Sequence, residues 1–335
     1  MKKLLFIYNP RAGTGKIRNS LSYVLEEFAS RNIELTVHPT SSVGDAVKTA
    51  REQGRAYDMI VCSGGDGTLD EVVTGMMLGG FRTPVGYIPA GSTNDYASSL
   101  GISTEMTNAA RAIANGSVFS CDVGRMTGDE VPPETETDTA PGESALVVED
   151  PSGMEERFFV YVAAFGAFTE VSYKTSQDMK NVLGHLAYLL EGVRSLASLK
   201  SWKLRFFSQE RSGEGEFLYG MVTNSNSVGG FKGITGNDVT LNDGLFEVTM
   251  ILMPPGFVEW PNIINALLTG AKSDYVITFK TAKLVVEGES PIAWTSDGEY
   301  GGTYKRIVIE NMPRALPIIL EEQPQDAIEG DSEEL

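Results

Sequence analysis

The stretch VCSGGDGTLDEV, residues 61–72, contains an apolar run, two adjacent glycines, one aspartate and then the start of a helical pattern. An apolar run that ends in a glycine turn and leads into a helix is typical of a strand–turn–helix unit. Turn chemistry needs one or two glycines at such a place. It explains neither the carboxylate of Asp66 nor the hydroxyl of Thr68, which indicates that this loop does more than reverse the chain.

Strand-like and helix-like segments alternate on both sides of this stretch, through the first third of the chain. The strand-like runs are KLLFIYN, IELTVHP, YDMIVCSGG and TPVGYIPAGS, and segments with helical spacing separate them. Such alternation predicts a parallel sheet with helices on both faces. We therefore expect an α/β amino-terminal domain over residues 1–120, with ligands at the carboxyl ends of its strands.

The pattern changes after about residue 120. Strand-like runs then dominate, interrupted by two helical segments near residues 170–193 and 255–268. This predicts a second, β-rich domain over residues 121–307, mostly antiparallel, as a sandwich or open barrel. The apolar segment ALPIIL is expected to return to the first domain near residues 308–320. A length of 335 residues also favours two domains over one.

The net charge of −18 is unevenly distributed along the chain. Residues 127–156 contain ten acids and no bases, and residues 321–335 contain seven acids and no bases, which leaves 28 acids and 27 bases elsewhere. The first region is expected to be a surface insertion and the second a disordered tail. The near-neutral remainder has no basic stripe, which argues against nucleic acid as a partner and remains compatible with a membrane surface.

The sequence also predicts a compartment. No run of about 18 apolar residues is present, so we expect no transmembrane segment. The start, MKKLLFIYNP, has too short an apolar run for a secretory signal and is expected to be a first strand. Cys62 and Cys121 each lie in an apolar run, as reduced core cysteines of a cytoplasmic protein do.

Three glycine-containing loops follow predicted strands: NPRAGTGK at residues 9–16, SGGDGT at 63–68 and PAGSTND at 89–95. In a parallel sheet all three would lie at one edge, where glycines let the main chain approach a phosphate and helix starts favour anions. The P-loop motif does not fit, because Pro10 replaces its first glycine. Glycine turns after strands are also commonly structural, so the combination of three loops, rather than any single one, favours a phosphate site.

Carboxylates recur far along the chain. Asp243 precedes a glycine in LNDGLFEV, and Asp297 and Glu299 lie in WTSDGEYGG. Asp-Gly is a strong turn signal, so each segment can also be a hairpin turn. On a strand, Asp297 and Glu299 would point the same way. Near a nucleotide, one of them could then hold Mg²⁺ while the other accepts a proton.

Five segments, NPRAG, GGDGT, GSTND, LNDGLFEV and SDGE, occur in this order. With their spacing, the chain resembles the diacylglycerol kinase catalytic family of bacterial lipid kinases, which is related to sphingosine kinases and more distantly to NAD kinases. The resemblance covers about residues 1–320 without the acidic insertion. It implies transfer of the γ-phosphoryl group of ATP to a lipid hydroxyl, with ATP in the interdomain cleft and Mg²⁺ as cofactor.

The resemblance also implies which residues form the sites. Glu299 would accept the proton of the lipid hydroxyl, Asp297 and Asp95 would be supporting acids, and Asp66 would sit nearest the phosphates or their Mg²⁺. A separate structural Mg²⁺ would be held by Thr240, Asp243 and Leu245. The nucleotide would contact Asn9, Pro10, Arg11, Ala12, Gly13, Thr40, Gly64, Gly65, Asp66, Gly67, Thr68, Leu69, Asp70, Thr93, Asn94 and Asp95.

Some points stay open at the level of sequence. Asp70 stands where the family usually has asparagine, which places an extra negative charge near the phosphates. The acceptor could be diacylglycerol, a sphingoid base, a phospholipid head group or a soluble alcohol, and a nucleotide-binding regulator without turnover is the alternative of another class. Residues 181–199 are a candidate lipid-facing helix for peripheral membrane association, or else a core helix. A homodimer is left open.

Overall fold

A computed structural model describes residues 1–92, 94–131, 156–166, 200–225, 227–228, 231–232 and 239–321. The chain divides into two compact units. The first comprises Met1–Cys121 together with the chain from Ala315 onward, and the second comprises Asp122–Arg314.

The strands, in chain order, are β1 (Lys2–Tyr8), β2 (Ile33–Pro39), β3 (Met59–Gly64), β4 (Val85–Pro89), β5 (Ser117–Glu130), β6 (Glu156–Phe159), β7 (Val162–Gly166), β8 (Trp202–Phe207), β9 (Ser212–Thr223), β10 (Ser227–Val228), β11 (Phe231–Lys232), β12 (Phe246–Leu252), β13 (Val276–Thr281), β14 (Lys283–Ser296) and β15 (Glu299–Leu320). The α-helices are α1 (Ile17–Ala29), α2 (Asp45–Gln53), α3 (Asp66–Gly79), α4 (Asp95–Ser99), α5 (Met106–Asn115) and α6 (Trp260–Thr269). Short 3-10 turns lie at Ala12–Gly15, Gly54–Ala56 and Phe257–Glu259.

The first unit is a parallel sheet covered by helices, which confirms the predicted fold class. Its strand order is β4–β3–β1–β2, and the end of β15 adds in parallel beside β4. Leu4 and Phe6 of β1 join the side chains of α1 and α5 in one core cluster. Leu5 and Ile7 alternate with them, so they face the other side of the sheet, and they are fully buried as well. Continuous apolar strands are expected of a parallel sheet with both faces covered.

The second unit is an antiparallel β structure, as predicted. Its strand order is β13–β12–β9–β7–β14–β15, with β8 paired to both β9 and β14, and β5 paired to β6 and β15. Large aromatic side chains fill its core, among them Trp294, Phe165 and Phe206. Phe165 lies 4.9 Å from the Trp294 ring, centre to centre. Tilted aromatic pairs at this separation are favourable beyond the area that they bury.

Several sequence expectations need correction at their boundaries. The acidic insertion predicted from residue 127 begins later, because β5 continues to Glu130 and its Thr127 pairs with Glu156 of β6. The predicted helix at 255–268 begins only at Trp260. The short helix α4 was not predicted. Residues 132–155, the tail from residue 322 and the candidate lipid-facing helix at 181–199 lie outside the described residues.

Among the residues that the structure describes, no helix combines the length and the apolar character needed to cross a bilayer.

Candidate functional site

The three glycine loops of the first unit meet at the carboxyl edge of its sheet. Gly13 of the first loop has a φ of 50°, and a Cβ there would overlap the carbonyl oxygen of Ala90 in the third loop. A Cβ on Gly91 would lie 2.7 Å from the Cα of Gly65 in the second loop. Both separations are too short for a side chain, so these glycines are required by close main-chain approach rather than by turn geometry alone. The predicted convergence of the loops is therefore observed.

Main-chain hydrogen bonds extend the sheet into these loops. The Asn9 N–H donates to the Ser63 carbonyl at 2.9 Å, and the Ala90 N–H donates to the Gly64 carbonyl at 2.7 Å. The Asn9 side-chain oxygen accepts from the Arg11 N–H at 2.9 Å, which orders the turn that carries Pro10 and Ala12. The chain segments at the carboxyl ends of the three neighbouring strands β1, β3 and β4 are thus hydrogen-bonded side by side.

The second loop, expected over residues 63–68, is shorter, since α3 begins at Asp66. Gly67 therefore lies in the first helical turn, where main-chain N–H groups favour a bound anion. Thr68 is 7% exposed, and its side chain packs against Gly64, where a Cβ would overlap it. Leu69 is fully buried, so its side chain belongs to the core.

Asn94 closes the third loop. Its side-chain oxygen accepts from the Gly91 N–H at 2.9 Å, and its amide donates to the Gly91 carbonyl at 3.1 Å. Its φ of 54° lies in the left-handed region, which asparagine tolerates better than most residues. This reciprocal pair fixes the main chain directly before α4. Thr93, another predicted nucleotide contact, lies outside the described residues.

Asp66 is the polar centre of this edge. It is half-buried at the start of α3, where its carboxylate accepts from the Asp95 N–H at 3.0 Å and from the Tyr87 hydroxyl at 3.3 Å. Burial raises the pKa of Asp66 to about 6, and the nearby charge of Asp95 adds to this, while the N–H groups of Asp95 and Tyr96 oppose it. An ionised Asp66 beside Asp95 would be stabilised by a cation bound near the two carboxylates.

Thr40 lies at the same edge. Its N–H donates to the Tyr8 carbonyl at 2.9 Å, so the chain after β2 continues alongside the end of β1. The sheet order therefore brings Thr40, Asn9 and Gly64 side by side. Asp70 lies one turn into α3 and is half-buried.

In the second unit, the structure corrects the expectation that Asp297 and Glu299 point the same way. Asp297 and Gly298 form the two-residue turn between β14 and β15, with φ values of 49° and 87°. The turn interrupts the strand alternation on which the expectation depended. As a result, Asp297 is 4% exposed, whereas Glu299 is exposed at the first position of β15.

The buried Asp297 carboxylate binds main-chain amides. It accepts from the N–H groups of Val160, Tyr161 and Val162 at 2.7, 3.0 and 2.9 Å. The Asp297 N–H in turn donates to the Val162 carbonyl at 2.8 Å. The aspartate thereby ties the hairpin that carries Glu299 to the link between β6 and β7.

Replacing Asp297 with asparagine is expected to destabilise the protein by about 1–3 kcal/mol, because an amide NH₂ would then face a buried N–H donor. Asparagine still fits the left-handed turn, so backbone strain does not contribute. Urea unfolding should detect the loss, with the exposed Asp274→Asn as the matched control. Equal unfolding free energies for the two variants would contradict the anchoring role of Asp297.

The segment expected to hold a structural Mg²⁺ is a turn before β12. One Asp243 oxygen accepts from the Leu245 N–H at 3.0 Å, and the other lies 3.8 Å from Lys280 Nζ. Thr240 and Asp243 are exposed and Leu245 is half-buried. Within the described ranges, no three His, Cys, Asp or Glu side chains cluster as a metal site. Any metal here would depend on carbonyl oxygens and water besides Asp243.

Asp122 organises this turn, and sequence reasoning missed it. Its fully buried carboxylate accepts from the N–H groups of Gly244 and Arg314, both at 2.7 Å, and from the Asn311 amide at 3.2 Å. The signal for it was a lone aspartate inside the strand-like run SVFSCDVGRM. Buried charges are rare unless they are bonded, so this residue was a candidate for such a role.

Buried hydrogen-bond acceptors lie beside this turn, and they indicate whether a hydrated Mg²⁺ would find partners there. The side-chain oxygens of Asn224 and Asn311 are buried and have no donor among the described residues. The Asn224 amide donates to the Leu241 carbonyl at 3.3 Å, which places it next to the turn. Mg²⁺ prefers oxygen ligands and keeps several waters, and such waters could donate to these oxygens. The residues present therefore fit the ion.

Two family models match most of the chain. The diacylglycerol kinase catalytic domain matches residues 3–126. The YegS C-terminal NAD kinase beta sandwich-like domain matches residues 162–320. The first match ends at residue 126, five residues after the first compact unit gives way to the second at Cys121.

Curated relatives match over nearly the full length. A diacylglycerol kinase of Bacillus subtilis (strain 168) is 30% identical over 333 residues, covering 98% of this chain and 100% of the relative. One from Staphylococcus saprophyticus is 29% identical and covers 90% of each chain. The crystal structure of a diacylglycerol kinase from Bacillus anthracis str. Sterne superimposes with a TM-score of 0.68 at 20% identity, covering 95% of this chain and 97% of that one.

Proposed function

Because the chain belongs to the diacylglycerol kinase catalytic family and is thus a lipid kinase, we propose that it transfers the γ-phosphoryl group of ATP to the hydroxyl of diacylglycerol or a related lipid alcohol. The observation that carries the proposal is the convergence of Gly13, Gly65 and Gly91 beside Asp66. Main chain without side chains is what a triphosphate needs for close approach. The short distances among the three glycines bring side-chain-free main chain from three loops together at one edge, where a triphosphate could approach it.

The nucleotide would bind along the edge formed by the ends of β1, β2 and β3. Asn9 and the following turn through Gly13, together with Thr40, would contact the nucleotide. The N–H groups at the start of α3 would donate to the phosphates. Asp66, supported by Asp95, would hold the Mg²⁺ that accompanies ATP. When bound, this ion supplies positive charge that neutralises the phosphate oxygens.

Glu299 would act as the proton acceptor. It is exposed at the start of β15, while the buried Asp297 fixes the turn before it. We therefore assign Asp297 a positioning role. Phosphoryl transfer depends mostly on positioning and charge neutralisation, so a carboxylate of ordinary basicity is adequate as a base. The proposal requires Glu299 to come within hydrogen-bond reach of the acceptor hydroxyl during turnover.

A second Mg²⁺ would have a structural role at the turn of Thr240, Asp243 and Leu245. The oxygen donors of this turn and the unsatisfied oxygens of Asn224 and Asn311 support it. The protein would work in the cytoplasm and associate peripherally with the membrane surface where its lipid acceptor lies.

A lipid panel assay tests the proposed function. The full-length protein is incubated with labelled ATP and Mg²⁺, and with mixed micelles of diacylglycerol, a sphingoid base, a phospholipid or no lipid, beside soluble polyols. We expect label in the lipid phase with diacylglycerol. Label only in a soluble alcohol would contradict the lipid acceptor, and ATP binding without any transfer would favour a nucleotide-binding regulator.

A further inference from the structure

Glu71 connects the helix of the second glycine loop to the start of another helix. It lies on α3, five residues after Asp66, and is half-buried. One carboxylate oxygen accepts from the Gly44 N–H and the other from the Ala46 N–H, both at 3.2 Å. Gly44 has a φ of 78° and directly precedes α2. The carboxylate therefore satisfies two amides at the amino terminus of α2, where a negative charge is also favoured by the helix dipole.

Helices α2 and α3 pack closely against each other one turn after Glu71. Gly75 follows Glu71 by four residues on α3, so both face the same side. A Cβ on Gly75 would overlap the Val47 carbonyl oxygen and lie 2.9 Å from the Ala50 Cβ. Helix α2 cannot approach α3 more closely at this point. The start of α2 is therefore held in position by its contact with Glu71 and, one turn further along α3, by the close packing at Gly75.

The segment between β2 and α2 is held at both ends. Near its beginning, the Thr40 N–H donates to Tyr8. Asp45, at the start of α2, accepts from the Ser41 N–H at 2.7 Å and from the Ser41 hydroxyl at 2.9 Å. Glu71 binds the other end, at Gly44. Of these contacts, only the Glu71 contact reaches this segment from α3, the helix whose start carries Asp66.

We propose that Glu71 is a positioning residue of the nucleotide site, which sets the Thr40–Gly44 segment at a fixed distance from the start of α3. The inference rests on the proposed function, since it takes Thr40 to contact the ATP that binds the glycine loops. Glu71 itself would not touch the substrate. Its loss should weaken nucleotide binding and leave the chemical step unchanged, because Asp66 and Glu299 stay in place.

The test compares Glu71→Gln with Glu52→Gln in the full-length protein. In Glu71→Gln, the glutamine keeps one acceptor oxygen but turns an NH₂ group toward an N–H donor. Glu52 serves as the control because it is exposed near the end of α2. We expect the KM for ATP to rise about tenfold in Glu71→Gln, the order of one lost hydrogen bond to a charged group. We expect kcat and the KM for diacylglycerol to stay unchanged, and Glu52→Gln to behave as wild type. A lower kcat with an unchanged KM for ATP would overturn the inference.

A binding measurement separates this inference from the proposed function. The affinity for the Mg²⁺ complex of a non-hydrolysable ATP analogue is measured by titration calorimetry, which needs no acceptor. If wild type fails to phosphorylate any lipid yet Glu71→Gln alone weakens binding, the proposed acceptor is wrong and the role of Glu71 stands. If Glu71→Gln does not fold, Glu71→Asp is used, which keeps the charge on an arm one methylene shorter. Binding equal to wild type in the variant that folds overturns the inference.

Discussion

Replacing Glu299 with glutamine is expected to lower kcat by about two or more orders of magnitude, which is the contribution of a well-placed general base. Glutamine has nearly the same shape as glutamate and cannot accept a proton at neutral pH. Because Glu299 lies outside the glycine loops of the first unit, the affinity for ATP should be unchanged. Initial rates of diacylglycerol phosphorylation and calorimetric binding of the ATP analogue together measure both quantities.

The exposed Glu289 on β14 provides the matched control for Glu299. Glu289→Gln removes the same charge from the same unit and should retain wild-type turnover. If Glu299→Gln turns over at the wild-type rate, Glu299 is not the base. If it loses ATP binding together with turnover, its role is in binding the nucleotide and not in proton transfer.

The glycine loops could be predicted from sequence because one rule governs them. Strands in a parallel sheet end at one edge, so loops that follow β1, β3 and β4 have to meet there. The glycines also predict close main-chain approach, and the contacts of Gly13 and Gly91 show this approach. The position of the three loops could be predicted from local sequence patterns alone, without any knowledge of contacts between residues far apart in the sequence.

The carboxylates of the second unit were harder to predict because two local rules competed there. Alternation along a strand predicts that Asp297 and Glu299 share a face, whereas Asp-Gly predicts a turn. The turn prevails in the structure, where both of its residues have positive φ. Asp122 could not be placed at all, since its partners Gly244 and Arg314 follow it by 122 and 192 residues. Single-sequence patterns contain no information on such distant contacts.

Replacing Asp66 with asparagine is expected to abolish most of the activity and at the same time to stabilise the protein at alkaline pH. In the folded state the pKa of Asp66 is raised to about 6, against about 3.9 in an unfolded chain. The ionised carboxylate therefore costs folding free energy above pH 6. This cost decreases between pH 6 and pH 4, and it is absent where the carboxyl is protonated in both states.

Asparagine can satisfy the contacts of Asp66 without a charge. Its oxygen can accept from the Asp95 N–H, and its NH₂ group can donate to the Tyr87 hydroxyl oxygen. Burial and the Asp66 charge hold the pKa of Tyr87 well above its usual range, so the hydroxyl keeps its proton. That proton can turn to the Gly64 carbonyl at 3.3 Å or to the Asn94 side-chain oxygen at 3.4 Å. The substitution thus keeps partners for the Asp95 N–H and the Tyr87 hydroxyl.

Thermal unfolding in EDTA, without nucleotide, measures the stability effect of Asp66→Asn. We expect Tm to rise by about 2–4 °C at pH 8, since a gain near 1 kcal/mol shifts the Tm of a large domain by that amount. The difference from wild type should vanish by pH 4, and Asp274→Asn should show no such trend.

Turnover should fall by about 100-fold or more, because the neutral amide no longer attracts Mg²⁺ to the phosphates. A Tm difference of equal size at pH 8 and pH 4 would show that burial of the ionised Asp66 carboxylate does not destabilise the folded protein. Full activity would show that its charge does not serve phosphoryl transfer.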